Sequence, residues 1–160
     1  MHLLIAAVGR LKQGPERDLA SHYAARVEAA GRSHALAPLE IAELPEGRGS
    51  TADLRKADEA ARLCTAAGKA EALVVLDETG KTQTSRAFAD FLRMRRDGGC
   101  ARLAFAIGGP DGHGPEIRRK AALVLSLGAM TLPHGLARII LLEQIYRAVT
   151  IISGHPYHRD

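Results

Sequence analysis

The last six residues, His155-Pro156-Tyr157-His158-Arg159-Asp160, carry the densest set of chemically able side chains in the sequence. Tyr157 offers a stacking ring, His158 an imidazole that can take or give a proton, and Arg159 a planar fork that matches a phosphate. Two readings stand side by side: a tail that touches a polyanionic substrate, or a frayed polar terminus of the kind many chains have. His155 and His158 also invite a metal. Zinc asks for three or four ligands, no further Cys or His lies close in sequence, and Pro156 interrupts any helix that would align the pair. Metal binding is therefore set aside.

A second concentration is Gly108-Gly109-Pro110-Asp111-Gly112-His113-Gly114. Glycines here let backbone N–H and C=O groups approach a flat or anionic ligand with no Cβ in the way. They could equally do no more than make tight turns, but their density, with Pro115 set to begin a helix, favours a ligand loop. Two familiar nucleotide motifs fail. Thr79-Gly80-Lys81-Thr82 resembles the end of a phosphate-binding loop, yet the glycine required five positions before Gly80 is Val75. Gly112-His113-Gly114 meets Ile117 where a dinucleotide fingerprint needs glycine.

The elements that must hold these groups alternate. Apolar runs at 2–8, 38–44, 72–77, 102–107 and 123–127 read as strands, the first closed by Gly9. Between them lie helical segments: one opened by Gly14-Pro15 and stopped by Gly31, and one capped by Ser50 or Thr51 and ended by Gly68. A third is capped by Thr84 or Ser85, and a short one runs from Pro115 to about 122. Residues 78–83 read as a polar loop, and a last helix covers 136 to about 152. Strands alternating with helices predict an α/β fold with a mostly parallel sheet and helices on both faces, one domain over 1–160. In such sheets ligands bind beyond the carboxyl ends of the strands. Three loops sit there: those after Asp77, after Ile107 and after Leu127.

Composition agrees. The chain has 160 residues (17.1 kDa), 46% hydrophobic and 25% charged, the mix of a globular domain. A net charge of +4 and a pI near 9.4 permit nucleic acid as a partner without requiring it. Cys64 and Cys100 form no CxxC pair, so a reduced, cytoplasmic home is expected. The apolar start lacks the basic flank and cleavage pattern of a signal peptide and reads as a strand. The greasiest stretch, 136–152, contains Arg138, Glu143 and Arg147, which argues against a membrane span. That helix is apolar on more than one stripe, so a second copy of the chain is the favoured cover for one of them, the alternative being a helix buried deeper than usual within one domain.

The ordered set Leu76-Asp77, Ile107-Gly108-Gly109-Pro110-Asp111-Gly112, Leu132-Pro133-His134, Arg138 and His155-Pro156-Tyr157-His158-Arg159 resembles the RlmH family from end to end. These are bacterial methyltransferases of the SPOUT class that act on N3 of a pseudouridine in large-subunit (23S) ribosomal RNA. The resemblance implies a SPOUT fold with a C-terminal trefoil knot and a homodimer through the C-terminal helix. It also implies that the target RNA is read on assembled ribosomes. Its S-adenosylmethionine (S-adenosyl-L-methionine) site maps to Leu76, Gly108, Leu127, Gly128, Ala129, Met130, Thr131 and Leu132, with Leu76, Met130 and Leu132 as an apolar wall. His155 or His158 could serve as the base, and Arg159 or Arg138 could steady the developing anion and hold a phosphate, with Tyr157 in the same tail. His134 is expected to orient its loop. Arg48, Arg118, Arg119 and Lys120 could contact RNA, although a solvated charged surface is the commoner reading of such a set. Asp111 stands where the resemblance leads one to expect Glu, and Gly135 where Pro often follows; both departures leave the glycine loop and His134 intact. The alternative is a ribosome-binding factor that keeps the fold without catalysis.

Overall fold

In the computed structural model, which describes residues 1–158, the apolar runs become five strands: β1 (His2–Val8), β2 (Leu39–Leu44), β3 (Ala72–Thr82), β4 (Arg102–Ile107) and β5 (Leu123–Ser126). They form one sheet in the order β2-β1-β4-β3-β5, and every ladder is parallel. Parallel strands need crossovers, and five helices supply them or follow them: α1 (Pro15–Gly31), α2 (Ala52–Ala67), α3 (Ser85–Asp97), α4 (Pro115–Lys120) and α5 (His134–Ser153).

Helix starts follow local chemistry. Pro15 and Pro115 occupy the first turns of α1 and α4, where a missing N–H costs nothing. The Thr51 hydroxyl accepts from Leu54 N and the Thr84 hydroxyl from Ala87 N, capping α2 and α3. Residue alternation then sorts the core. Leu3, Ile5, Val74, Leu103 and Phe105 face α1, α3 and α5, whereas Leu4, Ala6, Val75, Ala104 and Ala106 face α2 and α4. Both faces of the sheet are covered. Each large apolar side chain buried this way stabilises the fold by about 1.5–3 kcal/mol.

Two sequence expectations change. Residues 78–82 are not a loop but the outer half of β3. After a register shift beyond Leu76, Lys81 and Thr82 pair with Leu125 and Ser126 of β5, which supplies the backbone partners a polar segment could not find alone. The second apolar stripe of α5 is also covered from within the chain. Gly135, Arg138, Leu141, Leu142, Ile145, Val149 and Thr150 are buried, and α5 packs on α1 and α3 as well as beneath the sheet. The stripe left outward is mixed, with Leu136, Ile140 and Ile151 flanking Glu143, Gln144 and Arg147. No helix among the described residues is long and apolar enough to cross a membrane.

Candidate functional site

Register brings the three loops together. Leu76 of β3 pairs with Ile107 of β4 on one side and Leu125 of β5 on the other. Gly108 therefore begins one residue beyond a neighbour of Leu76, and Leu127 two residues beyond the other, with strands about 4.8 Å apart. A cavity of about 350 Å³ opens against Leu127 and Gly128 and reaches Ser85, Phe88, Ile140 and Gln144. That volume falls in the range of small-molecule sites. An open cleft lies on the other face of β5, between Val124, His113, Pro115, Arg118 and Arg119.

The glycine loop is held from two sides. The His113 ring lies over Gly108, where a Cβ would stand 3.1 Å from its Cε1. Beneath, a Cβ on Gly109 would come within 2.9 Å of both Glu59 oxygens. Burial pushes the His113 imidazole below its ordinary value, although Asp77 and the carbonyls of Leu76 and Ala106 pull the other way. Burial alone would raise the Asp77 carboxyl. Two hydrogen bonds from Thr79, at 2.9 and 2.6 Å, and the charge of Arg118 at 3.2 Å outweigh it and hold Asp77 below the usual carboxylate range.

The 127–132 segment is neither helix nor strand, so its backbone amides and carbonyls are not committed to a helix or a sheet ladder. Gly128 sits at φ +141°, a conformation side chains rarely adopt, and its N–H and C=O both engage the Ser126 hydroxyl. The Thr131 hydroxyl donates to Glu78 at 2.8 Å, fastening this loop to the outer half of β3. Leu76 is buried and Leu132 half-buried, but Met130 is 83% exposed. The expected apolar wall thus consists of Leu76 and Leu132, with Met130 turned to solvent. His134 packs against Gly9, where a Cβ would meet its Nε2 at 2.8 Å, which suits an orienting role.

Arg138 departs from expectation. Its side chain is 2% exposed, ion-paired to Glu43 and bonded at 2.9 Å to the Gly9 carbonyl. Glu43 also accepts from Leu11 N at 3.0 Å. The guanidinium braces the ends of β1 and β2 and presents no free fork to a phosphate. A helix residue two positions into the apolar run 136–152 is buried by its neighbours, and Glu43 compensates the charge.

The tail folds back along α5. The Tyr157 hydroxyl donates to Glu143 at 3.1 Å, its ring meets Tyr146 edge-on at 4.8 Å, and the Arg26 and Arg147 guanidinium groups lie over it. Arg147 also pairs with Glu143 and lies 3.4 Å from His158 Nδ1. Burial first, then bonding to Tyr23 and Glu143, pushes the Tyr157 phenol up to about 12. Glu143 joins the cavity through Gln144, which donates to Glu143 at 2.6 Å and accepts from Ser85 at 2.8 Å. Exposed His155 accepts from Tyr157 N at 3.2 Å. Arg159 lies outside the described residues. The structure thus brings together the loop set, and connects Tyr157 to the cavity through Glu143 and Gln144 and His158 through Arg147, Glu143 and Gln144; it places Arg138 elsewhere.

Sequence reasoning missed Glu59, His113 and Glu143. The available signal was a Glu four residues before Leu63, on the stripe of α2 that Ala60, Leu63 and Ala67 bury.

A family model described as "Predicted SPOUT methyltransferase" matches residues 1–158. The chain is 52% identical over 160 residues to a Brucella anthropi protein named ribosomal RNA large subunit methyltransferase H, with both chains fully covered. A Nitrobacter hamburgensis protein of the same name is 49% identical over 159 residues, covering 99% of each chain. Among solved structures, a Legionella pneumophila chain in complex with bound S-adenosylmethionine matches at TM-score 0.48 and 14% identity, covering 92% of this chain and 66% of that one.

Proposed function

From the premise that the chain belongs to the SPOUT methyltransferase family, we propose that it moves the methyl group of S-adenosylmethionine to N3 of a pseudouridine in large-subunit ribosomal RNA. The observation that carries this reading is the convergence of Leu76, Gly108 and 127–132 at three adjoining strand ends. Full-length likeness to proteins named for large-subunit rRNA methylation supports the substrate class.

The residues present fit the cofactor. Leu76 and Leu132 offer apolar surface, and the irregular 127–132 backbone offers donors and acceptors for an adenine edge, beside a Gly108 whose missing Cβ lets the His113 ring pack on it. These residues, with Leu127, Gly128, Ala129, Met130 and Thr131, would hold it. When bound, S-adenosylmethionine supplies a methyl group on a cationic sulfonium.

The chain's own task is positional and protolytic. N3–H of the acceptor must lose its proton before the N3–carbon bond forms and the carbon–sulfur bond breaks. Tyr157, held protonated by burial and by Glu143, is a donor and not the base. His155 or His158 takes the proton, and Arg159 steadies the N3 anion or an adjoining phosphate. Holding acceptor and methyl in line is the main source of rate. The same reading gives the chain a C-terminal trefoil knot, and the contact of Thr131 with Glu78 is consistent with it. It also includes a homodimer through the mixed outer stripe of α5 and recognition on assembled ribosomes, with Arg48, Arg118, Arg119 and Lys120 toward RNA.

Titration calorimetry with S-adenosylmethionine tests the pocket. Saturable binding is expected, Gly108→Val should abolish it, and Arg159→Ala should keep it while impairing methyl transfer. Folded protein that binds no cofactor, or unchanged affinity in Gly108→Val, would show the pocket misplaced.

A further inference from the structure

Two residues of α2, one helical turn apart on one face, span the same two loops. Arg55 donates to the Gly49 carbonyl at 3.2 Å and forks onto Asp111 at 2.6 and 3.2 Å. Glu59 accepts from Gly47 N at 2.8 Å and from Gly109 N at 3.3 Å. Both residues therefore tie the 45–49 loop, beyond β2, to the glycine loop, beyond β4. The fit is close. A Cβ on Gly47 would stand 2.5 Å from the Arg55 carbonyl, and one on Gly49 would stand 2.7 Å from Leu54 Cβ. On the other side, Gly109 can approach the Glu59 carboxylate only because it has no Cβ.

Glu59 is 3% exposed, on a helix face otherwise filled by Ala60, Leu63 and Ala67. A carboxylate there is costly unless its oxygens are satisfied, and an alanine or leucine would fill the face more cheaply. Its hydrogen bonds go to backbone N–H groups of the two loops, so its effect is on their placement. Asp111, bonded to Arg55 and lying below the usual carboxylate range chiefly for that reason, anchors the far end of the same loop.

We propose that Glu59 and Arg55 are positioning residues that lock the glycine loop in its ligand-binding shape and make the 45–49 loop one unit with it. This rests on the reading of the Gly108 loop as part of the cofactor site. The test measures S-adenosylmethionine affinity by calorimetry, together with thermal melting, for the full chain and for Glu59→Gln, Arg55→Gln and Leu63→Ala. A glutamine at 59 can accept one of the two N–H bonds but turns an NH₂ against the other. Glu59→Gln and Arg55→Gln should each weaken cofactor binding about tenfold, the scale of one lost charge-assisted bond. Turnover at saturating cofactor should be nearly retained. Leu63→Ala, which empties core beside the bridge without touching it, should lower the melting temperature and leave affinity within about twofold. Because Arg55 is partly exposed, its variant should fold even if Glu59→Gln does not. Wild-type affinity in both bridge variants would overturn the inference alone, as would equal weakening in Leu63→Ala. Failure of the wild-type chain to bind cofactor would overturn the functional reading beneath it.

Discussion

Replacing Glu43 by Gln strands a charge, and the structure says how much that should cost. Arg138 is 2% exposed and its partner Glu43 30%. Breaking a fully buried pair by removing one member costs about 3–5 kcal/mol. Here the vacated side admits water, and the Gln carbonyl can still accept one N–H, so about 2 kcal/mol is expected. For a chain of this size that corresponds to a melting temperature lower by about 4–8 °C. Arg138→Met should cost less, about 1 kcal/mol, because the carboxylate it leaves behind reaches solvent. Urea unfolding with unchanged slope measures both. The pH dependence adds a sign. Burial alone would raise the Glu43 carboxyl, but Leu11 N–H and the Arg138 and Arg17 charges hold it below its ordinary 4.5. Its contribution is therefore complete above about pH 4.5 and is lost as pH falls through the lowered value, a loss Glu43→Gln should not show. A change under about 0.5 kcal/mol, or Arg138→Met costing more than Glu43→Gln, would refute the bracing argument. Intact stability with lost methyl transfer in Arg138→Met would return Arg138 to the role of phosphate holder.

Tyr157→Phe removes one hydrogen bond to Glu143 and should cost about 1 kcal/mol of stability while slowing methyl transfer, measured by urea unfolding and initial rates. With the phenol pushed up to about 12, absorbance titration should show no phenolate from Tyr157 through pH 10, and a phenolate below pH 10 would contradict its placement. His113 has its pKa lowered from 6.5 by burial, so the unfolded chain binds its proton first and stability should fall as pH drops below about 6.5. His113→Asn should flatten that part of the profile, and an unflattened profile would place the cause elsewhere.

Much of the fold was legible because buried parallel strands are continuous apolar runs, as at 2–8 and 102–107, and because Thr51, Thr84, Pro15 and Pro115 are local start signals. The outer half of β3 was not, since its end at Lys81 and Thr82 finds strand partners only in β5, more than forty residues on. For α5 the all-round apolar pattern pointed to cover on several sides, and sequence assigned one side to a second chain because it could not tell that α1 and α3 pack on this helix. The rule that ligands bind beyond strand carboxyl ends located the three loops. Glu59 and Arg138 escaped because their meaning lies in partners 50 and 95 residues away. No local spacing announces such pairs. The seat of Tyr157 on Glu143 is of the same kind.

The most direct test of the central claim is transfer of labelled methyl from S-adenosylmethionine to ribosomes lacking the modification, followed by nucleoside analysis of the large-subunit RNA. The account predicts label in that RNA as N3-methylpseudouridine, dependent on an intact Gly108 loop and on Arg159. Folded, cofactor-binding protein that leaves the RNA unlabelled would contradict it.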